Sequence, residues 1–452
     1  MYNEEIDLIP VAEEVQLDFR FNQPHNIKDS TEHEKGIMKV LSLFSGCGGM
    51  DLGFEGGFSV LRPSVNETLT PHFIDRILEN GFVRLKKTKF RTVFANDILQ
   101  DAKIAWINYF SKRGHSVDNF HGESIVDLVK MHRNGIKVFP DNIDVVTGGF
   151  PCQDFSVAGK RNGFNSHKNH KGELVSDNSP TIETRGQLYM WMKEVIDITQ
   201  PKIFIAENVK GLVNLGDVKS IIQQDFSSAN GNGYIVLDPQ VLHSADYGVP
   251  QSRERVIFIG IKKSALKATA LKELLKETIT EAYNPYPKPT HSYTVKDNNL
   301  KHFVQLKDVF KHLEEPDVTE DLSQKSYSKA KFMGKHCQGQ TEIKLTGIAP
   351  TIRSEHHGNI EFRRLSKQNG GKIESELKKG LRERRLTVRE CAMIQTFPLD
   401  YEFVIPNDKG RKGSYLVSPS QAYKIIGNAV PPLLAYNLAM RIEEVWNLYF
   451  NE

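Results

Sequence analysis

The sequence predicts an α/β fold: a doubly wound, mostly parallel sheet joined to a smaller, irregular domain. Three observations lead there. Short β-rich runs alternate with stretches of helical spacing. Several of these runs end in a glycine or an acid, the residues that parallel sheets present to ligands at their carboxyl ends. After Ile261 the alternation stops, and a polar stretch rich in Lys, His and Asn takes over.

Residues 1–36 are polar and acidic without a clear period, and read as an N-terminal arm. Lys39-Val40-Leu41-Ser42-Leu43-Phe44 is the first strand and runs into Ser45-Gly46-Cys47-Gly48-Gly49. Residues 59–90 show helical spacing around Phe73, Ile74, Ile77 and Leu78, and read as an insertion at the surface. Arg91 to Asp97 is a second strand ending in an acid. Ile143 to Thr147 is a third and leads into Gly148-Gly149-Phe150-Pro151-Cys152. Helical spacing from Leu188 to Ile198 precedes a fourth strand, Ile203 to Ala206, which ends at Glu207-Asn208. Val256 to Ile261 is the last strand. From Gln421 to Asn447 an apolar helical pattern returns and is expected to pack back on the first domain. The expected division is therefore a domain over 37–262 completed by 415–452, a second domain over 263–384, and a segment 385–414 that rejoins the first.

Bulk properties exclude several classes. The chain has 452 residues, 39% hydrophobic and 25% charged, which suits a globular protein of two or three domains. The start is acidic, with no apolar signal segment, and no run reaches a membrane span. Four cysteines, Cys47, Cys152, Cys337 and Cys391, form no CxxC pair, so no zinc site or disulfide framework is expected and a reducing cytoplasm fits. A net charge of +3 leaves a nucleic-acid partner to be argued from local clusters.

The chemistry-bearing residues fall at strand ends. A cysteine directly after proline, on a stiff turn beyond a strand, is placed as an exposed nucleophile. The glycine-rich turn at 45–49 lets a ligand approach the backbone, yet it lacks the GxGxxG spacing of a nicotinamide site. Asp97 is suited to ribose hydroxyls, and Glu123 in His121-Gly122-Glu123-Ser124 to an adenine edge. Glu207 reads as a carboxyl in a partly desolvated pocket. In Gln251-Ser252-Arg253-Glu254-Arg255, an extended backbone puts both arginines on one face. One is suited to a substrate oxygen and the other to holding a backbone. The adjacent His356 and His357 face opposite sides of a strand, so no metal site is expected.

Together these motifs resemble the DNA cytosine-5 methyltransferases, of the bacterial restriction-modification type, in the family's order and over most of the chain. Phe44-Ser45-Gly46-Cys47-Gly48-Gly49 is similar to the cofactor motif, and Gly149-Phe150-Pro151-Cys152-Gln153 to the nucleophile motif. Glu207-Asn208-Val209 resembles the ENV motif, and Gln251 to Arg255 the QxRxR motif. Arg385 to Glu390 with Gln395-Thr396-Phe397-Pro398 is similar to the rejoining segment. Gly427-Asn428-Ala429-Val430-Pro431-Pro432 is similar to the closing motif.

The resemblance implies S-adenosylmethionine as cofactor and a flipped-out cytosine in double-stranded DNA as substrate. It implies Cys152 as nucleophile on C6, with Glu207, Arg253 and Arg255 at the base. Phe44, Gly46, Cys47, Gly48, Gly49, Asp97, Ile98, Glu123, Ser124, Pro151, Asn428 and Ala429 would hold the cofactor. Ile98 stands where the family often has a larger side chain. The 263–384 domain takes the position of a target recognition domain. Gln153, Ser156, Arg161, Thr351, Arg353, His356, His357, Asn359 and Arg363 would contact DNA. A long polar stretch, Phe164 to Thr184, follows the nucleophile. A cytoplasmic monomer is expected, with a restriction endonuclease acting on the same site. The alternatives are a tRNA-directed relative and a DNA-binding protein that keeps the fold without catalysis.

Overall fold

A computed structural model of the chain describes residues 36–151, 188–214, 217–294, 299–334, 336–354, 359–411 and 413–451. Its centre is a mixed, mostly parallel sheet. In chain order the strands are β1 (Met38–Leu43), β2 (Phe90–Asn96), β3 (Phe120–His121), β4 (Val145–Gly148), β5 (Ile203–Val209), β6 (Tyr234–Val236), β7 (Gln240–His243) and β8 (Glu254–Lys262). The spatial order is β7-β8-β5-β4-β1-β2-β3, and β6 also pairs with β8. The five strands from β5 to β3 run parallel, whereas β8 pairs antiparallel with β5, β6 and β7.

Alternation along the strands builds a core on each face, as the two-residue period of a strand requires. Val40, Val145, Ile203, Ile205, Ile257 and Ile259 point into one core. Leu41, Val146, Phe204, Ala206, Val256 and Phe258 point into the other. The helices α1 (Gly49–Glu55), α2 (Gln100–Phe110) and α8 (Pro432–Tyr449) cover the first core. The second is covered by α3 (Ile125–Arg133), α4 (Leu188–Thr199) and α5 (Val218–Ser227). The C-terminal apolar pattern is two helices, α7 (Pro419–Asn428) and α8, because Pro431 and Pro432 interrupt the ladder. A capping box of Ser418 and Gln421 starts α7.

The expected helical insertion at 59–90 is corrected. It is a three-stranded antiparallel sheet of Ser59–Leu61, Ile74–Ile77 and Phe82–Leu85. Pro63 and Pro71 open short 3-10 turns instead of helices, and Gly81 turns the chain with φ 79°. Phe73 packs edge-on against Tyr436 of α8, and Asn66 Nδ2 donates to the carbonyls of Thr290 and Asn299. The insertion therefore ties α8 to the start of the irregular region. Across 263–384 the described elements are short. Buried ion pairs hold part of this region: Arg384 donates twice to Glu390, at 2.8 and 2.9 Å, and Arg389 Nε reaches Asp321 at 2.5 Å. Glu390 also completes the Thr387 capping box of α6 (Val388–Ile394). Among the described residues no helix is long and apolar enough to cross a membrane.

Candidate active site

The carboxyl ends of β1, β2, β4 and β5 open into one cavity of about 750 Å³. The turn after β1 forms its floor. Phe44 adopts φ 53°, an unusual conformation for a side chain of its size. A buried hydrogen-bond chain supports that turn. Ser45 Oγ meets Ser42 Oγ at 2.9 Å, Ser42 Oγ donates to Asp51 at 2.5 Å, and Trp106 Nε1 donates to the other Asp51 oxygen at 2.7 Å. Burial pushes the Asp51 carboxyl up to about 6.

Asp97 fastens the turn from the next strand. One carboxylate oxygen accepts the Gly46 N–H and the other the Leu99 N–H, both at 2.9 Å. Burial pushes its carboxyl above the ordinary aspartate value, and these two donors and Lys424 pull it back. Each oxygen keeps a lone pair for a ligand hydroxyl. Ile98, 48% exposed, and Ser124, which caps α3, line the same end, as do Asn428 and Ala429.

At the other end, Arg255 Nε stands 2.6 Å from Glu207 Oε1, both side chains about nine-tenths buried. Strand pairing explains the register, since Arg255 opposes Val209 and Ile257 opposes Glu207 across β8 and β5. Gly149 passes so close that a Cβ there would lie 2.8 Å from Glu207 Oε2. The neighbouring Asn208 is buried and donates from Nδ2 to the Phe150 carbonyl at 3.1 Å. Thus Glu207 faces the cavity while Asn208 anchors the Phe150-Pro151 segment that leads to Cys152. Cys152 itself lies outside the described residues, as do Gln153, Ser156, Arg161, His356 and His357.

Several expected roles are corrected by placement. Arg253 is 1% exposed and donates to the carbonyls of Ile352, Gly427 and Ala429, so it clamps backbone rather than presenting its charge to a base. Cys47 lies in the core, its thiol pushed up by burial and directed at the Ile425 carbonyl. Gly48 and Gly49 pack beneath the turn against Phe110, Trp106 and Val430, outside the cavity wall. Glu123 is exposed and does not line the cavity, although its carbonyl accepts from Asn96. Arg363 is buried against Glu376 and over the Phe310 ring, so its charge is already paired within the protein.

The irregular region reaches the cavity through the stretch 349–354. Ala349 pairs with Gln251, and Thr351 Oγ1 donates to the Ser252 carbonyl at 2.6 Å. Gln251 is fully buried. It donates to Gln395 and accepts from the Ile352 N–H, both at 2.9 Å, and Gln395 donates in turn to Ile426. Arg353 lines the cavity with a half-buried side chain 4.0 Å from Glu361, and Asn359 is half-buried further on.

This lining fits an adenosyl cofactor. Phe44, Ile98 and Ile125 give an apolar wall, and Asp97 supplies acceptors. Thr147 Oγ1 is buried in the wall without a hydrogen-bond partner among the described residues, so a polar ligand atom has a place to bond. No group of three or more His, Cys, Asp or Glu among the described residues could hold a metal ion. Sequence reasoning missed Thr147 and Lys424. Lys424 lies four residues before Asn428 on α7, one helical turn away, and that spacing was the available signal.

Residues 78–444 match the family model for C-5 cytosine-specific DNA methylase. The chain is similar to the type II methyltransferase M.BsuRI of Bacillus subtilis, 32% identical over 425 residues, covering 92% of this chain and 81% of that one. It is equally similar to the type II methyltransferase M.BspRI of Lysinibacillus sphaericus, 32% identical over 426 residues with 92% and 84% covered. The solved structure of the Entamoeba histolytica methyltransferase EhMeth has the same fold, with a TM-score of 0.52 at 14% identity, covering 92% of this chain and 99% of that one.

Proposed function

The chain belongs to the C-5 cytosine-specific DNA methylase family, and from that premise we propose the reaction it performs at this cavity. It is a DNA cytosine-5 methyltransferase, related throughout to type II restriction-modification enzymes. The proposed substrate is a cytosine extruded from double-stranded DNA at a specific site, because C5 and C6 are unreachable within the stack. The proposed setting is a bacterial cytoplasm, as a monomer, with an endonuclease that cuts the same unmodified site.

One observation carries the reading: the Glu207–Arg255 pair shares a wall with Gly149 to Pro151, directly before the cysteine of the nucleophile motif. Bound S-adenosylmethionine would supply an electrophilic methyl group. Cys152 adds as thiolate to C6, which makes C5 electron-rich. Glu207 hydrogen-bonds N3 through a proton shared between them and accepts from the exocyclic amine, and so stabilises the charge that develops on the ring. Arg255 orients Glu207 and holds O2. Once C5 carries the methyl group, water entering the cavity would take the C5 proton and the Cys152–C6 bond would break with the thiolate as leaving group, which restores the aromatic ring. Phe44 would pack on the adenine, Asp97 would accept from the ribose, and Thr351 and Arg353 would meet DNA at the cavity mouth.

Duplex DNA carrying 5-fluorocytosine tests this, since fluorine cannot leave as the C5 proton does. The wild-type enzyme should form a stable covalent adduct in the presence of cofactor, and Cys152→Ala should form none. An adduct with the variant, or methylation of tRNA in preference to duplex DNA, would overturn the reading.

A further inference from the structure

Five cationic side chains line the cavity among the described residues: Lys210, Arg253, Arg255, Arg353 and Lys424. Four are engaged by the protein. Lys210 reaches Glu254 at 2.7 Å, Arg255 pairs with Glu207, Arg253 clamps carbonyls, and Arg353 faces Glu361. Lys424 is exposed and forms no hydrogen bond or ion pair with a described residue.

Its position is nevertheless well determined. Gln421, one turn earlier on α7, donates to Asp101 Oδ1 at 2.6 Å and so holds this face of the helix against the Asp97–Asp101 turn. Asn428, one turn later, lines the cavity with Lys424. Lys424 thus places a positive charge beside Asp97 and Asp101 without a hydrogen bond to either, and helps keep both ionised.

We propose that Lys424 is a cofactor-binding residue that, with Asp97, grips the vicinal diol of the ribose. This rests on the adenosyl-cofactor reading above. The chemistry is complementary. Each ribose hydroxyl both donates and accepts; Asp97 has only acceptors to offer and Lys424 only donors. A carboxylate alone leaves the hydroxyl oxygens without donors, and an ammonium alone leaves their hydrogens without acceptors. Opposite charges side by side also let a neutral diol bind without adding net charge near the sulfonium.

The competing role for a free ammonium is to pair with the carboxylate of the amino-acid tail. Two ligands separate these. S-adenosylhomocysteine has both diol and carboxylate, whereas 5′-methylthioadenosine has the diol and no carboxylate. Calorimetric titration of the full-length Lys424→Met protein should show affinity for both ligands reduced about tenfold, the size expected for one charge-assisted hydrogen bond. Lys424→Arg should recover part of the loss for both. The thermal midpoint should stay at the wild-type value, because Lys424 is exposed and makes no internal bond. Unchanged affinity for both ligands would overturn the proposal. So would a loss confined to S-adenosylhomocysteine, which would give Lys424 to the carboxylate. Failure of the wild-type protein to bind either ligand would instead remove the cofactor reading itself, and this proposal with it.

Discussion

At the scale of single residues, the site depends on contacts too tight to absorb an added atom. Gly149 is the sharpest case. Its backbone lies under the Glu207 carboxylate, and a methyl group at that position would stand 2.8 Å from Oε2. Glu207 cannot simply swing away, because its other oxygen is held by Arg255 at 2.6 Å and its strand is paired on both sides. Gly149→Ala should therefore tilt the carboxylate off its line to the base. The expected result is a single-turnover methylation rate lowered at least about tenfold, since misplacement of a positioned group by a fraction of an ångström carries that scale of penalty. Cofactor affinity should change little, because Asp97 and Phe44 lie at the other end of the cavity. Rapid-quench kinetics beside equilibrium cofactor titration would check it, and a wild-type rate would show that Glu207 does not need its present position.

At the scale of elements, the floor of the cavity is held from below. Asp51 of α1 receives Ser42 of β1 and Trp106 of α2, so three elements meet on one fully buried carboxylate. Burial raises its carboxyl from the usual 3.8 to about 6. The folded protein therefore keeps a proton where the unfolded chain has lost it, and stability falls as pH rises from about 4 to 6. Above that window the ionised group opposes folding by roughly 3 kcal/mol, at about 1.4 kcal/mol per unit. The nearby Glu55 has the opposite sign: held low by His115, it stabilises above about 4.5 and loses that contribution as pH falls. Asp51→Asn removes only the first effect. Its stability relative to wild type should rise steadily from pH 4 to 6 in urea titrations, and a pH-independent difference would refute the buried-charge account.

The same elements show what could be read in advance. The strands that lead into Phe44, Asp97 and Gly149, and the one that carries Glu207 near its end, were legible because buried parallel strands read as continuous apolar runs, and their ends are where polar residues first appear. The packing role of Cys47, Gly48 and Gly49 was not, because a glycine needed for close approach of helices looks the same in sequence as one that cradles a ligand. Arg253 and Arg255 are two residues apart, one just before β8 and the other within it, and one clamps carbonyls while the other pairs with Glu207. Only the chain segments brought in from 352 and 427 distinguish them. The insertion at 59–90 misled for a local reason: Phe73, Ile74, Ile77 and Leu78 imitate a helical stripe, while Pro71 and the Gly81 turn divide them between strand and turn.

At the scale of the whole molecule, segments far apart in sequence meet at one junction. Arg253 and Gln251 bind Ile352, Gln395 contacts Ile426, and Gly427 lies so close to the 349–354 stretch that a Cβ there would sit 2.2 Å from the carbonyl carbon of Arg353. Asn428, which lines the cavity, is the next residue along. These backbones therefore meet by direct contact, so a change at the junction is expected to reach both the 349–354 stretch and the cavity wall at Asn428. Gly427→Ala must push the 352–354 backbone, the end of α7, or both. Its expected signature is a joint loss: weaker S-adenosylhomocysteine binding and weaker binding of duplex DNA in the same protein. Thr351→Val, which replaces the hydroxyl on the Ser252 carbonyl by a methyl group of similar size, should weaken DNA binding alone. Fluorescence titrations of both ligands with both variants would decide it. If Gly427→Ala harmed one ligand and spared the other, the two sides of the cavity would have to be positioned independently, and the junction would be no more than a place where they touch.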